Sequence, residues 1–198
     1  MANDQVLTKE AILDAAEQVL RRYGPDKTSV VDIAKALQVS HGTLYRHFPS
    51  KTALREAVTE RWLQQSVAEP LTAIIEQQHN DAAESLHTWL KTLIRIKRNA
   101  SLDDAEMFAM YAAVTLDPTA IIDEHIDSLV GQIAVLLERG KNSGVFRMEQ
   151  PADRLAQALF SATAKFHHPA HAAEWTAESV DEEFDSLWRL LLSGLSAH

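Results

Sequence analysis

The sequence predicts an all-α chain, on three observations. Ala, Leu, Glu, Gln and Arg, all good helix formers, dominate it. The 6 glycines and 6 prolines are few and scattered, which argues against a β-sandwich or a Gly-rich nucleotide fold. Apolar residues recur at three- and four-residue spacing along most of the chain. With 198 residues, 46% of them apolar, the chain can bury a real core.

The elements follow in order. From Thr8 to Tyr23, Ile12, Ala15, Ala16, Val19 and Leu20 make one helical face, capped by Thr8 and ended by Gly24-Pro25. A short second helix buries Val30, Ile33, Ala34 and Leu37, with Thr28 expected as its cap. Gln38-Val39-Ser40 is a tight connection. A third helix begins after Ser40 and ends at Pro49, and Ser50 caps a fourth that runs through Leu54, Val58 and Trp62. Further helices are expected over 67–79, 81–99, 102–115, 118–140, 152–167 and 177–195. Asp117-Pro118 starts one of them, and Gly140 with the run to Gly144 stops it. No internal repeat, low-complexity tract or flexible linker stands out.

Composition narrows the function. There is no cysteine, hence no disulfide framework or thiolate metal site, and this fits a reducing cytoplasm. The N-terminus lacks the basic and apolar regions of a signal peptide, and no apolar run approaches the roughly 20 residues that span a bilayer. A cytoplasmic protein without a membrane role is expected. No HExxH, Gly-rich phosphate loop or GxSxG supports an enzyme, and no cofactor is expected. The net charge of −9 argues against non-specific nucleic-acid binding. Yet residues 1–51 carry seven Lys/Arg against six Asp/Glu, so the acidity lies in the rest.

Two short helices joined by a three-residue turn are a helix-turn-helix signature, and the small Ala34 suits their crossing. Within VSHGTLYRHFPSK, Ser40 caps, and Leu44 and Phe48 face inward. That leaves His41, Gly42, Thr43, Tyr45, Arg46 and His47 on the outer surface of a helix of the kind that enters the DNA major groove. Gly42 permits close approach, the Thr43 methyl suits thymine, and Arg46 suits guanine O6/N7. Tyr45, His47 and Lys51 suit phosphates, and Ser50 with the free amides after it forms a second anion site.

The segment TKEAILDAAEQVLRRYGPDKTSVVDIAKALQVSHGTLYRHFPSKTALREAV resembles the N-terminal domain of the tetracycline-repressor (TetR) family, most specifically over DIAKALQVSHGTLYRHFPSK. ERGKNSGVF (138–146) is a weaker echo. The resemblance implies a helix-turn-helix DNA-binding domain over residues 1–52 and a helical ligand-binding and dimerisation domain over 53–198. It implies a homodimer on a palindromic double-stranded DNA operator, released by a small apolar or amphipathic effector. DNA contacts carry over to Ser29, His41, Gly42, Thr43, Tyr45, Arg46, His47 and Lys51. Two positions depart from the family: Gln38 stands where glycine is usual in the turn, and Val31 where many members carry a basic residue.

In the C-terminal half, Trp62, Trp89, Phe108, Met110 and Tyr111 suit an adaptable apolar pocket. Glu106, in the apolar run AEMFAMYAAV, is a carboxylate that could pair with a cationic ligand. His125 lies on the apolar face of its helix, as a ligand contact or a satisfied core histidine. Leu155, Leu159, Phe160, Thr163 and Phe166, then Phe184, Leu187, Trp188, Leu191, Leu192 and Leu195, form two stripes expected at a dimer interface. His167, His168 and His171 resemble metal ligands, but Pro169 separates them, and no metal site is expected. A DNA-binding regulator controlled by a protein partner, without a small ligand, is the alternative.

Overall fold

The computed structural model describes residues 7–77, 81–116 and 119–196. Helix α1 (Lys9–Tyr23) is capped by Thr8, whose hydroxyl accepts from the Ala11 amide at 3.1 Å, and buries the expected stripe. It packs on α2 (Val30–Ala36), which in turn packs on α3 (His41–His47). The cap of α2 is Ser29, not Thr28. Ser29 and Asp32 form a reciprocal capping box, whereas the buried Thr28 hydroxyl donates to the Gly24 carbonyl at 2.7 Å.

Between α2 and α3, Gln38 has φ 57°, the one non-glycine with positive φ among the described residues. The Val39 amide reaches the Ala34 carbonyl at 3.0 Å and the Gln38 amide reaches Lys35 at 3.1 Å. This double bond pattern is a Schellman closure, which places its left-handed residue where glycine fits best. Ala34 is buried at the crossing, as its size requires.

Helix α4 (Lys51–Leu63), capped by Ser50, passes without a break into a wide π-turn over Gln64–Ala68 and then α5 (Glu69–Glu76). The sequence instead places a new helix at 67. Pro70 explains the difference, because it cannot donate to the carbonyl four residues back and the coil widens instead. Helix α6 (Ala82–Asp103) runs past its expected end, breaks at Asp104, and is followed by α7 (Ala105–Thr115). The Asp117-Pro118 start signal lies outside the described residues.

Helix α8 (Ala120–Asn142) runs through Gly140, and its stop is Gly144, at φ 76°. Gly140 is small for a different reason: a Cβ there would sit 2.0 Å from the Phe146 ring. Helix α9 (Ala152–Ala162) packs along α8 and ends five residues short of expectation. Thr163 turns its hydroxyl onto the Leu159 and Phe160 carbonyls at 2.9 and 3.2 Å, and the His167 ring also reaches Phe160. Two 3₁₀ turns, Ala164–Phe166 and Pro169–Glu174, lead to α10 (Val180–Leu195).

Candidate functional site

Helix α3 holds its outer residues by local bonds. The Ser40 hydroxyl accepts from the Thr43 amide at 3.2 Å and meets the Thr43 hydroxyl at 2.9 Å. Arg46 Nη2 leans on the same Thr43 oxygen at 3.4 Å, and the His41 and Tyr45 rings meet edge to face at 5.8 Å. Leu44 and Phe48 are buried, while His41, Gly42, Tyr45 and Arg46 are exposed and Thr43 and His47 half-buried. At Gly42 an added Cβ would meet only Ser40 Oγ, at 3.8 Å. The fold itself therefore makes no demand for glycine there.

Ser50 caps α4, accepting from the Ala53 amide at 3.0 Å, and Lys51 stands exposed at the first position of that helix. Lys51 and Ser29 line one crevice where α1, α2 and α4 meet. Ser29 is less free than the sequence implies. Its hydroxyl and amide donate to the Asp32 carboxylate at 2.6 and 3.1 Å, and these bonds hold that carboxyl below the usual range. Val31 is exposed on α2, an apolar side chain on a polar surface.

Behind this surface lies a chain of ion pairs. Arg21 of α1 forks onto Asp104 and also meets Glu17 at 3.1 Å. Arg61 of α4 reaches the same Glu17 at 2.5–2.8 Å and Asp14 at 2.8 Å. Glu17 and Arg61 are 14% and 16% exposed, so water screens this pair only partly. The α6–α7 break thus grips the end of α1. Glu106 belongs to the same junction. It is exposed, with its carboxylate against Gly24, rather than lining an interior pocket.

The aromatic candidates divide. Trp62 of α4 and Tyr111 of α7 lie 5.7 Å apart, and Phe108 meets Tyr111 edge to face at 5.9 Å. Met110 is fully buried on the same helix. Trp89 is buried elsewhere in the packing, donating to Gln132 of α8 at 2.9 Å. His125 lines a cleft of about 360 Å³ with Glu60, Leu63, Gln64, Ile121, Glu124 and Ser128. Its Nε2 is buried and has no hydrogen-bond partner among the described residues. Burial, with the nearby Lys97 charge, pushes its imidazole down to about 3.

Sequence reasoning missed Lys97. It is 1% exposed, and its ammonium lies 4.0 Å from the Tyr111 ring centre and 5.9 Å from that of Trp62. The signal was present: Leu86, Trp89, Leu90, Leu93 and Ile94 set the buried stripe of α6, and Lys97 falls on its next step.

The two C-terminal stripes are largely used inside the protomer. Leu159, Thr163, Phe166, Phe184, Trp188 and Leu195 are buried. Phe166 meets Phe184 edge to face at 5.4 Å, and the His87 ring stacks on Phe184 and Trp188 at 6.0 and 4.9 Å. Within the single chain these six already belong to the core. Leu155, Phe160, Leu187, Leu191 and Leu192 stay half-buried, and Leu190, which the sequence reading passed over, is 69% exposed. The three histidines also part. His167 is buried on Thr163, while His171 pairs with Glu174 at 2.7 Å. No group of three or more potential metal ligands forms among the described residues.

Comparison with known proteins matches this arrangement. Residues 12–58 match the profile of the bacterial regulatory proteins of the tetR family, and residues 82–188 the tetracyclin repressor-like C-terminal domain. A probable acrEF/envCD operon repressor of Escherichia coli (strain K12) is 33% identical over 101 residues, covering 48% of this chain and 44% of that protein. The chain spans about half the length of the curated relatives it matches first. Among solved structures, SmeT, the repressor of the Stenotrophomonas maltophilia multidrug efflux pump SmeDEF, superposes with a TM-score of 0.67 at 19% identity, over 97% of this chain and 92% of its own. Thermus thermophilus FadR, a repressor solved with lauroyl-CoA, gives 0.67 at 22% identity over 96% of each chain. Such identities speak for the fold alone. No helix among the described residues is long and apolar enough to cross a membrane. With both domain profiles matched in order, one of them over more than half of this chain, the protein belongs to the tetR family of bacterial regulatory proteins.

Proposed function

We propose that this chain is a transcriptional repressor that binds a palindromic operator as a homodimer and is released by a small molecule. The observation that carries the reading is the join between the two ends of the protein. Helix α7 supplies Phe108 and Tyr111 to the aromatic interior, while the residue before it, Asp104, holds Arg21 of α1. A ligand that favours one placement of α7 therefore favours one placement of the reading head. Helix α4 offers a second route, since it runs from Ser50 and Lys51 to Trp62.

Residues 1–52 act as the reading head and 53–198 as the effector and dimer body. His41, Gly42, Thr43 and Arg46 face bases, and Tyr45, His47, Ser50 and Lys51 meet phosphates. Ser29 joins them as it lines the same crevice as Lys51. The dimer forms on the outer face of α10, where Leu187, Leu190 and Leu191 lie at helical spacing, with Leu155, Phe160 and Leu192 at its margin. Two heads then meet half-sites about 34–36 Å apart. Relatives of the same fold crystallise with acyl-CoA molecules, which agrees with an interior able to take an apolar body.

The test is selection of bound sequences from random double-stranded DNA by the full chain. The expected product is an inverted repeat whose half-sites are one helical turn apart. Recovery of no common sequence, or of one without two-fold symmetry, refutes the reading. If release from that DNA answers to a protein from the same cells and to no small molecule, a partner-controlled regulator replaces it.

A further inference from the structure

We propose that the effector is an amphipathic carboxylate whose anionic head pairs with the Lys97 ammonium between Tyr111 and Trp62. This rests on reading the interior bounded by α4, α6, α7 and α8 as the effector site. Lys97 enters from α6, Tyr111 from α7, Trp62 from α4, and His125 from α8. An amine in such a place needs a partner, because desolvation of an unpaired charge is expensive. None exists among the described residues: no acceptor reaches Lys97 Nζ, and no carboxylate offsets its burial.

Two ring faces soften that cost by cation–π attraction and leave the donor free. Burial still pushes the Lys97 amine down to about 7. The titratable groups that feel its charge are His125, His167 and His168, each lowered by it, and none can neutralise it. Burial pushes the Tyr111 phenol up, so it too stays uncharged.

The ligand class follows from what this interior rejects. A cation meets Lys97 with like charge. A small inorganic anion leaves the buried apolar surfaces of Met107, Phe108 and Met110 unused. An apolar body ending in one carboxylate satisfies both ends. His125, which lines the cleft with Glu60 and Glu124 and whose buried Nε2 has no partner among the described residues, feels the Lys97 charge and gives the head a second polar contact. Gln64, the first residue of the π-turn, lines the same cleft, and π-turns are places where a helix readjusts at a site. Glu106, the carboxylate that the sequence offered to a cationic ligand, lies at the α1 junction instead. The charge preference of the interior is therefore reversed.

The experiment uses the full chain with octanoate, dodecanoate and 2-naphthoate, each beside its primary amide and the matching amine. Binding is followed by tryptophan fluorescence and by calorimetry in two buffers of different ionisation enthalpy. The expected result is tighter binding of carboxylates than of amides or amines. At pH 8 that binding takes up as much as about one proton, because a carboxylate partner restores the ammonium form. Lys97→Met, similar in volume and without a charge, should bind the carboxylates about 10- to 100-fold more weakly and take up no proton. Undiminished carboxylate binding by Lys97→Met overturns the proposal, as does binding of the amides or amines as tight as that of the carboxylates. If amides or amines bind and carboxylates do not, the effector site stands and the Lys97 assignment falls. If no compound of any class binds, both fall.

Discussion

Arg21, in the last turn of α1, forks onto Asp104 at the α6–α7 break, with Nε 3.1 Å from Oδ1 and Nη2 3.1 Å from Oδ2. One ion pair thus spans the reading head and the body. Asp104→Asn keeps the shape and removes the charge. Operator affinity without effector should stay within about twofold, since the pair is partly exposed. Effector-induced release should weaken by about 0.5–2 kcal/mol of coupling. Titrations of labelled operator, with and without effector, measure both. Unchanged release would place the coupling on α4 alone.

Arg46 and Lys51 should fail differently. Arg46→Ala should cost about 1–3 kcal/mol on the selected operator and relax sequence preference at one position of each half-site. Lys51→Ala should weaken binding to all sequences alike and lower the salt slope by about 1 for each phosphate no longer neutralised. Binding isotherms at several salt concentrations separate the two.

Gly42→Ala tests the proposed DNA-facing side of α3. Nothing in the fold crowds a methyl group there, so the variant should be as stable or up to about 1 kcal/mol more stable. Operator binding should fall if, as proposed, the duplex approaches α3 at Gly42. Thermal unfolding and operator titration together check this, and unimpaired binding removes Gly42 from the contact surface.

Gln38→Gly should raise stability by about 1 kcal/mol, because Gln38 holds a left-handed φ of 57° in the Schellman closure. For a chain of this size that is about 2–4 °C in Tm. A differential scan reads it directly, and a fall in Tm would mean the side chain makes up for its backbone strain.

Acid should destabilise the fold through its buried histidines. Burial pushes the imidazoles of His125 and His167 down to about 3, so in the folded state they stay neutral. The unfolded chain binds their protons below about 6.5, so their stabilisation is full above that pH and is lost as pH falls toward 3. His125→Gln should reduce the loss between pH 6.5 and 5 by about 2 kcal/mol. Urea unfolding at the two pH values measures it.

By itself the sequence determined the helical class, the helix-turn-helix and its caps at Thr8, Ser40 and Ser50. All of these depend on contacts within three or four residues, which spacing records. The left-handed Gln38 was flagged by the resemblance alone, which puts glycine at that place in the turn. The tertiary structure decided what each buried face meets. A periodic stripe says that Phe184 and Trp188 are covered, and only packing shows that the His87 ring stacks on them. Glu106 and Lys97 make the same point with charge. Both sit among apolar neighbours in sequence, yet Glu106 lies at the junction with Gly24 and Lys97 lies 4.0 Å from the Tyr111 ring. Burial and ionic partners are set by segments distant in the chain, as the separation of 83 positions from Arg21 to Asp104 shows, and local pattern carries no record of them.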